Sequence, residues 1–190
     1  MSEKVSISAM PTPNPQAIKF LPSMNVFEGS GALDFPDAEK AKGNALPEQL
    51  FEIDGVDGVM VGSRFVTVTK NPDSTWENLL EPVRDLIVSI LESAEPVISE
   101  ASKASLEKVA ESQSEVEKQI IDLLDAEIRP AIALDGGDLE FKSLEDGIVT
   151  VQLQGACSGC PASTMTLKMG IESRLKEAFP GVVEEVVQVQ

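Results

Sequence analysis

The only two cysteines of the chain lie two residues apart, in the segment GACSGCPAS at 155–163. Because the chain has no histidine, any thiol or soft-metal chemistry has to use Cys157 and Cys160. Two thiolates are half of the donor set that a tetrahedral zinc ion or an iron-sulfur cubane requires. A two-fold dimer in which each subunit supplies both cysteines completes the set, since an isologous interface brings a surface patch face to face with its own copy.

The residues on either side of this CxxC motif predict a strand before it and a helix after it. The run 148–153 is rich in β-branched residues, and apolar residues recur at helical spacing from 165 to 179. Pro161 suits the first turn of that helix, where its missing N–H group is not needed. Cys160 is therefore expected beside the positive end of the helix dipole, which stabilises a thiolate.

Two other kinds of site use the same motif. A thioredoxin-like dithiol oxidoreductase also places CxxC between a strand and a helix, and a structural zinc site could hold two subunits together. The thioredoxin order requires a strand and a helix before the motif and a proline-led strand after it, whereas here a hairpin precedes the motif and the last strand contains no proline. No paired nucleophile and base and no glycine-rich phosphate loop occur in residues 1–95, and we expect no catalytic residues and no enzymatic activity in the protein.

Composition narrows the range of partners. The formal net charge of -17 argues against nucleic acid, which attracts basic surfaces. No run reaches the roughly 18 apolar residues needed to cross a bilayer, so we expect no membrane association. Residues 1–5 show neither a long apolar core nor an arginine-rich amphipathic pattern, which leads us to expect no signal or transit peptide and a cytoplasmic location.

The chain is predicted to form two small α+β domains, with residues 1–95 in the first, a linker at 96–114, and residues 115–190 in the second. The first domain is expected to contain strands at 5–8, 17–21, 32–35, 56–61 and 65–69 and helices at 46–53 and 76–93. The linker is rich in Ser, Glu, Ala and Lys and is partly helical in our interpretation. As a flexible coil it would span roughly 25 Å and let the domains move against each other.

The second domain is predicted to have the order helix, strand, strand, CxxC, helix, strand. Its first helix begins near Val116, is interrupted at Pro130 and ends at the turn Asp135–Asp138, which we interpret as structural. Strands follow at 139–144, 148–153 and, after the motif helix, 182–189. Met165 and Met169 lie beside the apolar side of that helix and are expected to pack in the core or at a dimer edge.

Both halves resemble domains of a known family. Residues 115–190 are similar to the NifU C-terminal-like domain through Arg129-Pro130, LDGGD at 134–138, LQGAC at 153–157, Cys160-Pro161, Ser163-Thr164 and Gly170-Ile171. Residues 1–91 resemble the Nfu N-terminal domain through TPNP at 12–15, KFLP at 19–22, LFEIDGV at 50–56 and FVTVTK at 65–70. One departure is Gly159, where the family often has serine, which would loosen the loop without removing a ligand.

The resemblance implies an iron-sulfur cluster carrier of the two-domain Nfu type. It implies a [4Fe-4S] cluster bridged between two subunits by Cys157 and Cys160, with a [2Fe-2S] cluster as the alternative. It further implies a homodimer formed on cluster binding, apo iron-sulfur proteins as recipients, upstream cluster assembly proteins as partners, and a first domain that recognises partners.

Overall fold

The computed structural model describes residues 5–28, 31–93, 95–104, 114–157 and 161–189, and the side chains of 161–164 lie outside this description. The strands within these ranges are β1 (Ile7–Pro11), β2 (Ala17–Pro22), β3 (Ala32–Phe35), β4 (Val56–Gly62), β5 (Val66–Lys70), β6 (Gly137–Glu145), β7 (Ile148–Gly155) and β8 (Glu185–Val189). The helices are α1 (Ala38–Ala41), α2 (Ala45–Phe51), α3 (Trp76–Glu92), α4 (Glu115–Leu123), α5 (Arg129–Leu134) and α6 (Pro161–Ala178), with a π-helical turn (Leu124–Ile128) between α4 and α5.

The first domain is an antiparallel sheet in the order β1-β2-β5-β4-β3. Alternation along β5 sends Val66 and Val68 into the core and Thr67 to the opposite face, as the sequence predicts. The helix α3 adds an apolar stripe to the same core, so the helices cover one face of the sheet. β1 continues to Pro11, which pairs with Ile18, so the proline-rich segment begins as an edge strand, where a missing N–H is tolerated.

The start of the predicted linker belongs structurally to the first core. Val97 and Ile98 are buried there, and the Val97 carbonyl accepts a hydrogen bond from Leu46 N at 3.1 Å. Ser99 N donates to Asn44 Oδ1 at 2.8 Å, and residues 100–104 are helical. The chain is therefore anchored to the first domain as far as Ser99, and residues 105–113 lie outside the described ranges.

The second domain is a three-stranded sheet, with β7 in the centre between antiparallel β6 and parallel β8. Its core combines Val149, Val151 and Leu153 from β7 with apolar residues of α4, α5 and α6. The predicted α+β class and element order are confirmed. The π-helical turn immediately before Arg129-Pro130 explains the predicted interruption, because Pro130 lacks an N–H and its ring clashes with a carbonyl one turn earlier.

Membrane crossing requires a helix that is both long and apolar. Among the helices in the described ranges, none meets both conditions.

The two domains meet at the face of the first sheet that the helices leave uncovered. Asp34 of β3 lies on this face, and its Oδ1 accepts a hydrogen bond from Gly155 N at the end of β7, at 3.3 Å. Burial raises the pKa of Asp34 to about 6, against the effects of the Gly155 amide and Lys40, while Asp138 and Glu140 raise it further. The folded chain therefore binds a proton at Asp34 more tightly than the unfolded chain does.

We predict that Asp34 contributes stability that is fully present below pH 3.8 and is lost as the pH rises through about 6. The loss should reach up to about 3 kcal/mol, since one pKa unit corresponds to about 1.4 kcal/mol. Urea unfolding followed by the fluorescence of Trp76, the single tryptophan, measures the free energy across this range. Asp34→Asn should remove this part of the pH dependence. The exposed control Asp73→Asn should keep it, and equal pH profiles for Asp34→Asn and wild type would contradict the prediction.

Candidate metal centre

The CxxC motif lies between the end of β7 and the start of α6. Cys157 follows β7 by two residues, and α6 begins at Pro161, as predicted for a proline in the first helical turn. Residues 158–160, and with them Cys160, lie outside the described ranges, so the position of only one predicted ligand is known. Among the described residues, no group of three or more His, Cys, Asp and Glu side chains is placed to hold a metal ion.

The Cys157 side chain is buried, with 3% of its surface exposed, and packs with the core of the second domain. Gly137, the first residue of β6, lies directly against it. A Cβ atom added to Gly137 would collide with Cys157 Sγ and would lie 2.9 Å from Cys157 Cβ and 3.0 Å from Gln154 O. Gly137 therefore creates the space that the sulfur atom occupies, and it fixes the cysteine against the strand pair.

The glycine pair 136–137 was interpreted from the sequence as part of a structural turn, and its role beside the cysteine was missed. The β6–β7 register places Gly137 opposite Gly155, two residues before the motif. Gly136 has a φ of 77°, which suits the end of a helix, and its carbonyl accepts a hydrogen bond from Ala156 N at 3.2 Å. A helix end needs one glycine, so the second glycine is the signal in the sequence that could have pointed to close packing.

A partly buried ion pair holds this turn in place. Arg129 Nε lies 3.1 Å from Asp138 Oδ1, at an angle unsuited to a hydrogen bond, while Arg129 Nη2 donates to Leu139 O at 2.8 Å. Leu139 N also donates to Asp138 Oδ1, at 2.8 Å. Burial raises the pKa of Asp138, and Arg129 opposes that change by favouring the carboxylate. The pair connects α5 to the start of β6 and so supports Gly137 beneath the cysteine.

The helix after the motif presents two methionines to solvent. Met165 is 70% exposed and Met169 is 65% exposed, while Ile171 and Leu175 of the same helix are buried. The expectation that the methionines pack in the core is therefore wrong for the chain by itself, because they lie on the opposite side of α6 from the core residues. Their placement at a dimer edge stays a prediction.

Comparison with known proteins identifies two domain families in the chain. Residues 7–94 match the family described as scaffold protein Nfu/NifU N terminal, and residues 120–187 match the family described as NifU-like domain. The division at 95 and 115 predicted from the sequence is not tested by these matches and stays a prediction.

Similar proteins carry both domains in longer chains. The NFU1 iron-sulfur cluster scaffold homolog, mitochondrial, of Drosophila sechellia is 37% identical over 183 residues, which are 96% of this chain and 64% of that protein. The NifU-like protein 4, mitochondrial, of Arabidopsis thaliana is 42% identical over 173 residues, 89% of this chain and 61% of that protein. The solution structure of a NifU-like protein from Saccharomyces cerevisiae is 28% identical, with a TM-score of 0.48, and the match covers 53% of this chain and 90% of that one.

These names correct one prediction and place the chain in a family. The predicted cytoplasmic location is wrong, since both curated relatives are named mitochondrial. Composition and hydropathy carry no information about the compartment of a protein. The chain belongs to the Nfu/NifU family, with an Nfu N-terminal domain followed by a NifU-like domain.

Proposed function

We propose that this protein is an iron-sulfur cluster scaffold that carries a [4Fe-4S] cluster between two copies of the chain and passes it to apo iron-sulfur proteins. The observation that carries the proposal is the position of the only two cysteines, at a strand-to-helix junction in a family whose curated relatives are named iron-sulfur cluster scaffolds. Cys157 and Cys160 are the proposed ligands. The cluster is cargo in this proposal, and the protein is a carrier instead of an enzyme.

The donor set supports a shared site. Four thiolates are the usual ligands of a [4Fe-4S] cluster, and one chain contains two cysteines and no histidine. Two copies related by a two-fold axis supply four sulfur atoms, and a symmetric contact uses the same patch on each copy. A [2Fe-2S] cluster needs the same four donors, so iron content has to distinguish the two.

The charge of the bound cargo has to be balanced by the protein. A core of charge +2 with four thiolates has a net charge of about -2 in the ordinary oxidised state, so N–H groups suit its surroundings better than carboxylates. The helix α6 begins immediately after Cys160 and turns the positive end of its dipole toward the motif. The nearby Asp138 is paired with Arg129, which offsets its charge.

Release to a recipient requires access to the cluster. A cluster held between subunits by four thiolates alone can be attacked by the thiols of a recipient, whereas a ferredoxin encloses its cluster with the cysteines of one chain. The exposed Met165 and Met169 follow the motif on α6 and offer a flexible apolar surface to a second copy or a recipient. We further propose that upstream cluster assembly proteins supply the cargo.

The dithiol oxidoreductase remains the alternative, and its support is weaker. The motif follows an antiparallel hairpin, β6–β7, instead of the strand and helix of a thioredoxin-like unit. The experiments below also distinguish a structural zinc site, because zinc gives no visible absorbance.

Reconstitution without oxygen, using iron and sulfide, should yield a broad brown absorbance and about four iron atoms per dimer. Cys157→Ala and Cys160→Ala should each abolish this absorbance, since each removes two of the four ligands from the shared site. Iron analysis and visible spectra make the measurement. A protein that reduces a disulfide substrate without metal, and takes up no iron, would support the oxidoreductase instead.

The cluster-free chain should be monomeric and the loaded chain dimeric, because four ligands have to come from two chains. Sedimentation velocity of both forms under argon measures this difference. A monomer that carries the full cluster absorbance would contradict the bridged site.

Gly137→Ala should reduce the amount of cluster retained by at least about tenfold and lower the free energy of unfolding by about 1–3 kcal/mol, because the added methyl group displaces Cys157. Gly170→Ala is the matched control on α6, where an added Cβ meets no atom within 4 Å. It should retain the cluster fully and gain about 0.5–1 kcal/mol from the loss of a helical glycine. Equal retention by the two variants would show that Gly137 does not position the ligand.

A further inference from the structure

The uncovered face of the first sheet is in contact with the backbone that leads into the CxxC motif. Lys19 of β2, Asp34 of β3, Met60 of β4 and Thr67 of β5 lie on this face, because their neighbours along each strand point into the helix-covered core. Lys19, Met60 and Thr67 are buried, although two of them are polar. We call these four residues together with the TPNP loop at 12–15 the cover surface.

Three polar side chains of the cover surface bind backbone atoms of the second domain. Asn14 Nδ2 donates to Ala156 O at 3.1 Å, and Asp34 Oδ1 accepts from Gly155 N at 3.3 Å. Lys19 Nζ donates to Ala133 O at the end of α5, and it lies 4.6 Å from the ring centre of Phe65. Two of these bonds therefore fix the two residues immediately before Cys157.

Close packing reinforces the hydrogen bonds. A Cβ atom on Gly136 would lie 2.8 Å from Thr12 Cγ2, and one on Gly155 would lie 2.8 Å from both Met60 Sδ and Met60 Cε. Both glycines have positive φ values, 77° and 63°. The second domain therefore presents bare backbone to the first domain at two points where the domains approach closely.

This contact conflicts with a site shared between two chains. A thiolate that binds a bridged cluster has to face a second copy, whereas Cys157 is 3% exposed within the core of its own domain, and the first domain holds the two residues before it. The Gly155 N–H, which could stabilise a negatively charged cluster, is directed to Asp34. The docked arrangement therefore suits a chain without cargo.

We propose that the first domain is a cover for residues 155–157, which we call the ligand loop, docked through the cover surface in the cluster-free monomer and displaced when this segment meets a second copy. This inference rests on the proposed function, because the scaffold role is the reason that the loop needs a cover. Docking holds Gly155 and Ala156 in place, and so keeps the Cys157 thiol in the core of its own domain while the chain carries no cargo. Displacement of the cover makes the same sheet face available to a recipient when the loop is loaded.

Alkylation of Cys157 in the full-length chain tests the cover without any cluster. In a Cys160→Ala background Cys157 is the single thiol, so the rate of reaction with iodoacetamide reports its exposure alone. Adding Asn14→Ala and Asp34→Ala should raise this rate at least about tenfold, because Gly155 and Ala156 lose the bonds that hold them and Cys157 can then leave the core of its own domain. The control pair Asn78→Ala and Asp85→Ala removes the same residue types from the exposed side of α3 and should leave the rate unchanged. An unchanged rate in the cover variant would overturn the proposal.

X-ray scattering of the unaltered cluster-free chain keeps the test decisive if the cover variant fails to fold. A scattering curve that fits the docked arrangement supports the cover, and one that requires separated domains overturns it. Both measurements use protein without cargo, so they remain interpretable if no cluster binds. If the chain takes up no cluster but its domains are docked and Cys157 is alkylated slowly, the scaffold function is rejected and the proposed cover is still supported.

Discussion

The close approach of Gly137 to Cys157 is the constraint on which the arrangement of the second domain depends. The β6–β7 register sets Gly137 opposite Gly155, and no side chain fits between β6 and the sulfur atom. The Arg129–Asp138 ion pair and the π-helical turn that follows α4 hold β6 in this position. The cysteine is thus held by a series of close contacts within the core of its own domain.

The contact between domains adds a second role to the same few residues. Gly136 and Gly155 allow the first sheet to approach the ligand loop, and Asn14 and Asp34 bind the loop backbone. Asp34 is half-buried, and this packing disfavours its ionisation, since the carboxyl group loses water and the hydrogen bond that it accepts from Gly155 N is long. Because the docked arrangement favours the protonated form of Asp34, the contact between the domains is weaker at neutral pH than at low pH. This dependence suits a contact that has to open.

The pattern of apolar and turn-forming residues along the sequence predicted most of the secondary structure. The contacts between elements were not predictable from it. The alternation in 65–69, the apolar stripe of α3 and the β-branched run before the motif gave strands and helices close to those observed. The short helix α1 was missed because four residues carry too little periodicity. Lys19 and Thr67 look like solvent-facing residues of a half-exposed sheet, and only the second domain explains their burial. Cys157 was correctly placed after a strand, but its burial depends on Gly137, which is 20 residues away in the sequence.

The central claim is that one cluster is shared by two chains. Native mass spectrometry of protein loaded and sprayed without oxygen counts chains, iron and sulfide in a single particle. The account predicts a particle of two chains with four iron and four sulfide ions, which separates into cluster-free monomers when the cluster is removed by a chelator. A single chain that retains four iron and four sulfide ions, or a dimer that holds zinc instead of iron after purification without oxygen, would contradict it.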